Sequence, residues 1–131
     1  MATLTPKKQQ LPEQDPLQAN VYRLVELALD KKVKDLKAYN VTGLTLTADA
    51  LVVCTATSEP QAKAVMNAAK EGMREIGIRA RHTEGSFHDA WMLIDFGDIL
   101  FHVFREQARD FYDLDGLWAD APEFPVDSET S

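Results

Sequence analysis

The chain has 131 residues, room for one domain, and hydrophobic residues make up 45% of it, enough to build a core. Twenty-one acids stand against fourteen bases, a formal net charge of −7. That is the wrong sign for phosphate-backbone binding by the whole surface, so a basic protein is the expected partner, with little or no direct nucleic-acid contact.

No apolar run approaches the ~18 residues of a membrane span, and the N-terminus lacks both the apolar core of a signal peptide and the arginine-rich pattern of a transit peptide. The lone Cys54 excludes an internal disulfide framework and a multi-cysteine zinc site. A cytoplasmic protein is expected. Residues 1–14 are polar and broken by Pro6 and Pro12, and are expected to form a flexible tail. The domain is expected to span 15–119. Residues 120–131, acidic and carrying two prolines, read as a second flexible tail.

Asp15-Pro16 has the pattern of a helix N-cap followed by proline in the first turn. Val21, Leu24, Val25, Ala28 and Leu29 then recur with the spacing of one buried helical face. Strands are predicted around 40–47 and 49–56. The second is apolar on both faces from Leu51 to Cys54, which suggests a central strand covered on both sides and makes Cys54 a small buried hydrophobe. In SEPQ, 58–61, Ser58 caps a second helix and Gln61 is placed to close a capping box. Its stripe is Ala62, Val65, Met66, Ala69, Met73 and Ile76, and Gly77 stops it. The TATS turn before it lacks the glycines of a phosphate-cradling loop. A short strand near 78–83 follows, and strand-helix-strand order implies a parallel pair joined by a crossover. With the two strands that come next, this makes an α/β domain with a mixed sheet of about five strands flanked by helices.

WMLIDFGDILFHVF, residues 91–104, carries the candidate chemistry. It reads as two strands, 90–95 and 98–104, joined by a two-residue turn at Phe96-Gly97. That register pairs Asp95 with Asp98, Leu93 with Leu100 and Trp91 with His102. Trp91, Leu93, Asp95, Asp98, Leu100, His102 and Phe104 then share a mixed face, and Ala90, Met92, Ile94, Ile99, Phe101 and Val103 a core face. Opposed aspartates repel, so they call for a cation: a metal, an arginine of this chain, or a basic group of a partner. For a metal, His102 lies on the order of 13 Å along the strand from Asp98 at ~3.3 Å per residue, too far for one coordination sphere. No paired-histidine motif, nucleophile elbow or kinase motif set accompanies these residues. His102 is either hydrogen-bonded at the core edge or a contact residue beneath Trp91. Phe96 at the hairpin tip is either an exposed knob or folded back.

LVELALDKKVKDLKAYNV, ADALVVCTATSEPQ, EGSFHDAWMLIDFGDILFHVF and ARDFYDLDGLW run in the order seen in ribosomal silencing factors, the Iojap-like family. The chain resembles that family over about residues 19–120. The most specific pieces are Trp91, Asp95, Asp98 and His102, closed by Arg109, Tyr112 and Trp118. The resemblance implies a compact α/β domain related in fold to nucleotidyltransferases, working without enzymatic activity or cofactor. It implies binding to the large ribosomal subunit through its fourteenth protein at the subunit-joining face, blocking the small subunit and damping translation when nutrients are scarce. It also implies that homodimers can form. Trp91, Asp95, Phe96, Asp98, His102 and Tyr112 are the candidate partner-binding residues; Leu114 and Trp118 are expected to pack the last helix, which Gly116 interrupts. The other readings are a metal-dependent nucleotidyltransferase-like enzyme using Asp95 and Asp98 after the Gly85-Ser86 turn, and a ribosome assembly factor.

Overall fold

Pro16–Asp30 forms the first helix, α1, and its start is set as the sequence predicts: the Asp15 carboxylate accepts the backbone N–H groups of Leu17 and Gln18. The computed structural model describes residues 15–86 and 88–126. The expected N-terminal tail, 1–14, and residues 127–131 lie outside the described residues. The second helix, α2 (Glu59–Glu75), starts where Ser58 Oγ accepts the Gln61 N–H at 3.2 Å. Gln61 does not close on Ser58. Its Oε1 accepts the Thr57 N–H at 2.7 Å, and its Nε2 donates to the carbonyls of Lys31 and Lys32. One side chain therefore fixes the entry to α2 and satisfies the C-terminal end of α1. At the other end Gly77, with φ +86°, places the N–H of Ile78 on the Met73 carbonyl and its own N–H on that of Arg74. This is a Schellman cap.

Six strands form one mixed sheet: β1 (Lys34–Asn40), β2 (Ala50–Ala56), β3 (His82–Glu84), β4 (Trp91–Asp95), β5 (Ile99–Arg105) and β6 (Glu123–Phe124), in the order β3-β4-β5-β2-β1-β6. β2 and β5 are parallel, and the other pairings are antiparallel. All seven residues of β2 are buried, as its two apolar faces predict. The expected parallel pair of β2 with the strand after α2 does not form. That strand, β3, runs in the direction of β2 but at the sheet edge, and β5 takes the place beside β2.

The strand expected at 40–47 is displaced to Lys34–Asn40. Asn40 Oδ1 accepts the Thr42 N–H, Leu44 N–H turns back to the Val41 carbonyl, and Gly43 has φ +80°, so the Thr-Leu alternation is spent in a loop. The true strand is hidden by its charged outer residues and by a bulge between Lys34 and Lys37, where Asp35 has φ +52°.

The sheet has two covered faces. α1 and α2 pack on one, over Val52, Cys54, Ile94, Phe101 and Val103. The other carries a smaller cluster: Tyr39, Val41, Leu51, Val53 and Phe104, covered by α3 (Glu106–Tyr112) and α4 (Leu114–Leu117). Leu114 and Trp118 pack partly buried against this second cluster. The expected tail from residue 120 is corrected over 121–126. Ala121 and Phe124 are buried, Pro122 accepts the Asn40 N–H, Phe124 pairs with Ala38, and Tyr22 Oη donates to the Pro125 carbonyl.

Candidate docking face around Trp91

The β4–β5 turn is two residues long, but it is Gly97-Asp98 rather than Phe96-Gly97. Phe96 N–H donates to the Ile99 carbonyl at 2.9 Å, and Gly97 has φ +96°. A hairpin turn needs a positive φ at its first central residue, which glycine supplies and phenylalanine resists. Sliding the turn by one residue moves the register by two. Asp95 therefore faces Leu100, Leu93 faces His102 and Trp91 faces Phe104. An even shift keeps side-chain parity, so the residues of β4 and β5 keep their expected faces although every predicted pair is wrong; Ala90, expected in the core, precedes β4 and is exposed, and Asp98 falls in the turn.

The opposed aspartates disappear with the old register. Asp95 Oδ1 accepts the Gly97 N–H at 2.7 Å and closes its own turn. The Asp98 carbonyl accepts the N–H groups of Asp49 and Ala50, tying the turn to the start of β2. Its side chain is exposed and lines a cleft with Arg79 and Arg81, arginines of this chain. Phe96 folds back into the core at 5% exposure and is no knob.

Trp91 is 37% exposed and sits over a stack. Its ring lies on Phe104 with centroids 5.1 Å apart and on Tyr112 at 4.7 Å, and its Nε1–H donates to His102 Nδ1 at 3.0 Å. His102 is diagonal to Trp91 across the ladder, within reach of an indole. The first reading of this histidine holds: it is a buried imidazole, hydrogen-bonded beneath the tryptophan. Accepting through Nδ1 requires the neutral ring, and burial pushes its pKa down to about 4. Tyr112 of the stack is 47% exposed, and two more apolar residues of the α3–α4 segment are exposed, Phe111 at 80% and Leu117 at 70%. Phe111 contacts Tyr112 edge-on, with ring centroids 5.1 Å apart. The sequence reading missed Phe111 and Leu117, because only the break between α3 and α4 decides which apolar residues of that segment turn outward.

A polar cluster holds that segment. Arg109, 8% exposed, donates through Nε to Asp115 Oδ2 at 2.6 Å, through a terminal nitrogen to Asp115 Oδ1 at 3.1 Å, and through the other to Thr55 Oγ1 at 2.9 Å. Tyr39 Oη donates to the same carboxylate at 2.8 Å. Burial pushes the Asp115 pKa up, but hydrogen bonds from Arg109 and Tyr39, with the charges of Arg109 and Lys37, outweigh it and hold the carboxyl below its usual range. Burial and Asp115 push the Tyr39 phenol well above its ordinary value. Gly116 does not fray the helix. Its N–H donates to Asp113 Oδ1, and a Cβ there would strike the Asp113 carboxylate, so glycine is what lets the cap approach. The helix breaks at Asp113 instead, whose φ is +49°.

Residues 14–131 match the family model described as "Ribosomal silencing factor during starvation". The chain belongs to the ribosomal silencing factor family. It is 37% identical over 112 residues to a ribosomal silencing factor of Halalkalibacterium halodurans, covering 82% of this chain and 96% of that one. It is 36% identical over 98 residues to that of Bacillus subtilis, covering 75% and 83%. A crystal structure of a Chromobacterium violaceum protein superposes with a TM-score of 0.75 at 31% identity, covering 85% of this chain and 93% of that one. In this silencing-factor chain no helix among the described residues is long and apolar enough to cross a membrane. No group of three or more His, Cys, Asp or Glu among them is arranged to hold a metal ion. Burial pushes the Cys54 thiol up to about 12, which suits a packing residue rather than a nucleophile.

Proposed function

We propose that the protein silences ribosomes: it docks on the large subunit through a basic ribosomal protein, the fourteenth, at the subunit-joining face. There it blocks association with the small subunit and represses translation under nutrient limitation, without catalysis. Membership of the family supports the role. The observation that carries the docking site is the aromatic and apolar group of Trp91, Tyr112, Phe111 and Leu117, left exposed on the sheet face that α3 and α4 cover only in part. Aromatic anchors at the centre of such a patch supply most interface energy, and an acidic chain suits a basic partner. Asp95, with its carboxylate engaged in its own turn, and Phe96, buried, serve as frame; His102 serves by fixing Trp91.

The test is co-sedimentation with isolated large and small subunits, with a subunit-joining assay alongside, for the native chain and Phe111→Ala. Phe111 touches little of its own fold, so the variant should melt within about 0.5 kcal/mol of the native stability, as exposed surface substitutions do. If Phe111 anchors the partner, the variant should bind the large subunit at least tenfold more weakly, about 1.4 kcal/mol or more. Equal binding by the two proteins, or association with the small subunit alone, would remove this face from the proposal.

A further inference from the structure

Charge is unevenly placed on this acidic chain. Three clefts run along the outer flank of α2, the α2–β3 connection and the edge strand β3. The first and second share Arg79, and the second and third share Lys70, so they form one continuous band. Five basic residues line it, Lys63, Lys70, Arg74, Arg79 and Arg81, against two acids, Glu71 and Asp98. The chain as a whole carries −7. Arg74 is bound by Glu71 at 2.9 Å. Among the described residues no carboxylate lies in salt-bridge contact with Lys70, Arg79 or Arg81, whose side chains hold cationic charge open to solvent or to a ligand. Asn67 and Thr83 add neutral hydrogen-bonding groups to the third cleft.

We infer that this band binds the phosphate backbone of double-helical RNA. A row of cations releases the counterions of a polyphosphate, and neutral amide and hydroxyl groups between them complete phosphate contacts. Unpaired RNA is a poorer fit. Among the described residues the aromatic that lines the band is Phe96, and it is buried, so none of them offers a platform on which bases could stack. The placement also fits an anchored protein: the band lies on the α1–α2 side of the sheet but follows its β3 edge, and β3 is hydrogen-bonded to β4, the strand whose other face carries Trp91. A silencing factor seated on a ribosomal protein through Trp91 then meets ribosomal RNA along its basic edge. The inference rests on the ribosomal reading only for the source of that RNA.

The test measures binding of the full-length protein to a short RNA hairpin, and to isolated large subunits, at about 50 and about 200 mM salt, for the native chain and Lys70→Gln/Arg79→Gln. The native chain should bind the hairpin, more weakly at the higher salt. Each phosphate contact accounts for roughly a 3.5-fold loss of affinity over that range, so removing two should shrink the salt-induced loss by about tenfold, alongside weaker binding at both concentrations. Melting should be unchanged; if the double variant unfolds, Lys70→Gln/Arg81→Gln replaces it with the same expectation. No hairpin binding by the native chain, or equal affinity and salt dependence in the variant, overturns the inference. So does poly-glutamate binding as tight as that of the hairpin, which marks a generic acid-binding surface. If the native chain binds the hairpin and the variant does not, but neither binds subunits, the band stands and the ribosomal proposal fails. If subunits bind both proteins alike, the ribosomal proposal stands and the band fails.

Discussion

His102 joins stability to pH through a single hydrogen bond. The imidazole must stay neutral to accept from the Trp91 indole, and burial lowers its pKa from the ordinary 6.5 to about 4. Between those values the unfolded chain takes up a proton that the native state refuses. The stability is therefore fully present above about pH 6.5, falls as pH drops toward 4, and changes no further through this group below that. Between pH 7.5 and 5 the loss from His102 should be about 2 kcal/mol. Urea unfolding at the two pH values measures it, with His102→Gln as the comparison, since glutamine can accept from Trp91 but does not titrate. The variant should lose about 2 kcal/mol less than the native chain over that interval. Parallel losses would show that the buried ring takes its proton as readily folded as unfolded.

Between elements, the Arg109–Asp115 pair is the connection that seats the α3–α4 segment on the sheet, because it also holds Thr55 of β2 and Tyr39 of β1. Asp115→Asn leaves Arg109 buried without its counter-charge. Removing one partner of such a pair costs about 3 kcal/mol where burial is nearly complete; the carboxylate is 29% exposed, so about 2 kcal/mol is expected from chemical unfolding. The large subunit should also bind this variant more weakly than Phe111→Ala changes alone predict, since Tyr112 and Leu117 ride on the same segment. At the chain's end, a stop after Ala121 removes the Phe124 side chain from the core and the Tyr22–Pro125 hydrogen bond. It should cost about 2 kcal/mol, from the burial of one large apolar side chain. A stop after Val126 keeps every described contact and serves as the comparison; equal stability of the two truncations would mean that β6 contributes nothing to the fold. These same elements show what sequence can carry. Asp15, Ser58 and Gly77 act on neighbours within a turn, so the two long helices could be read directly, and the unbroken apolar run of β2 could only be a covered central strand. The hairpin faces were legible even though its register was not, because a one-residue slide of the turn preserves parity. β1 and β6 were not legible, since a bulge broke the alternation of one, and the other is two residues whose partner lies far back in the chain. Phe111 and Leu117 stayed hidden because a left-handed Asp113, not any apolar period, divides α3 from α4.

The molecule as a whole is a sheet whose two faces are closed to different degrees. α1 and α2, of 15 and 17 residues, cover one face with a large core. α3 and α4, of 7 and 4 residues, cover the other with a small one, and Phe111, Tyr112 and Leu117 of that segment stay exposed. The short helices expose much of their backbone and bury few apolar groups, so local opening should cost least there. Docking would supply the missing cover. Hydrogen exchange of the free and subunit-bound protein should therefore show the largest gain of protection in β4 and in the α3–α4 segment, residues 91–95 and 106–118. Exchange in α1, on the opposite face, should hardly change. The basic edge adds a separate expectation, because backbone amides of β3 and the α2–β3 connection should gain protection on subunits and lose that gain in Lys70→Gln/Arg79→Gln, while protection of 106–118 persists. Protection centred on α1 instead would place the partner on the fully covered face, and the exposed aromatic group would then need another occupant.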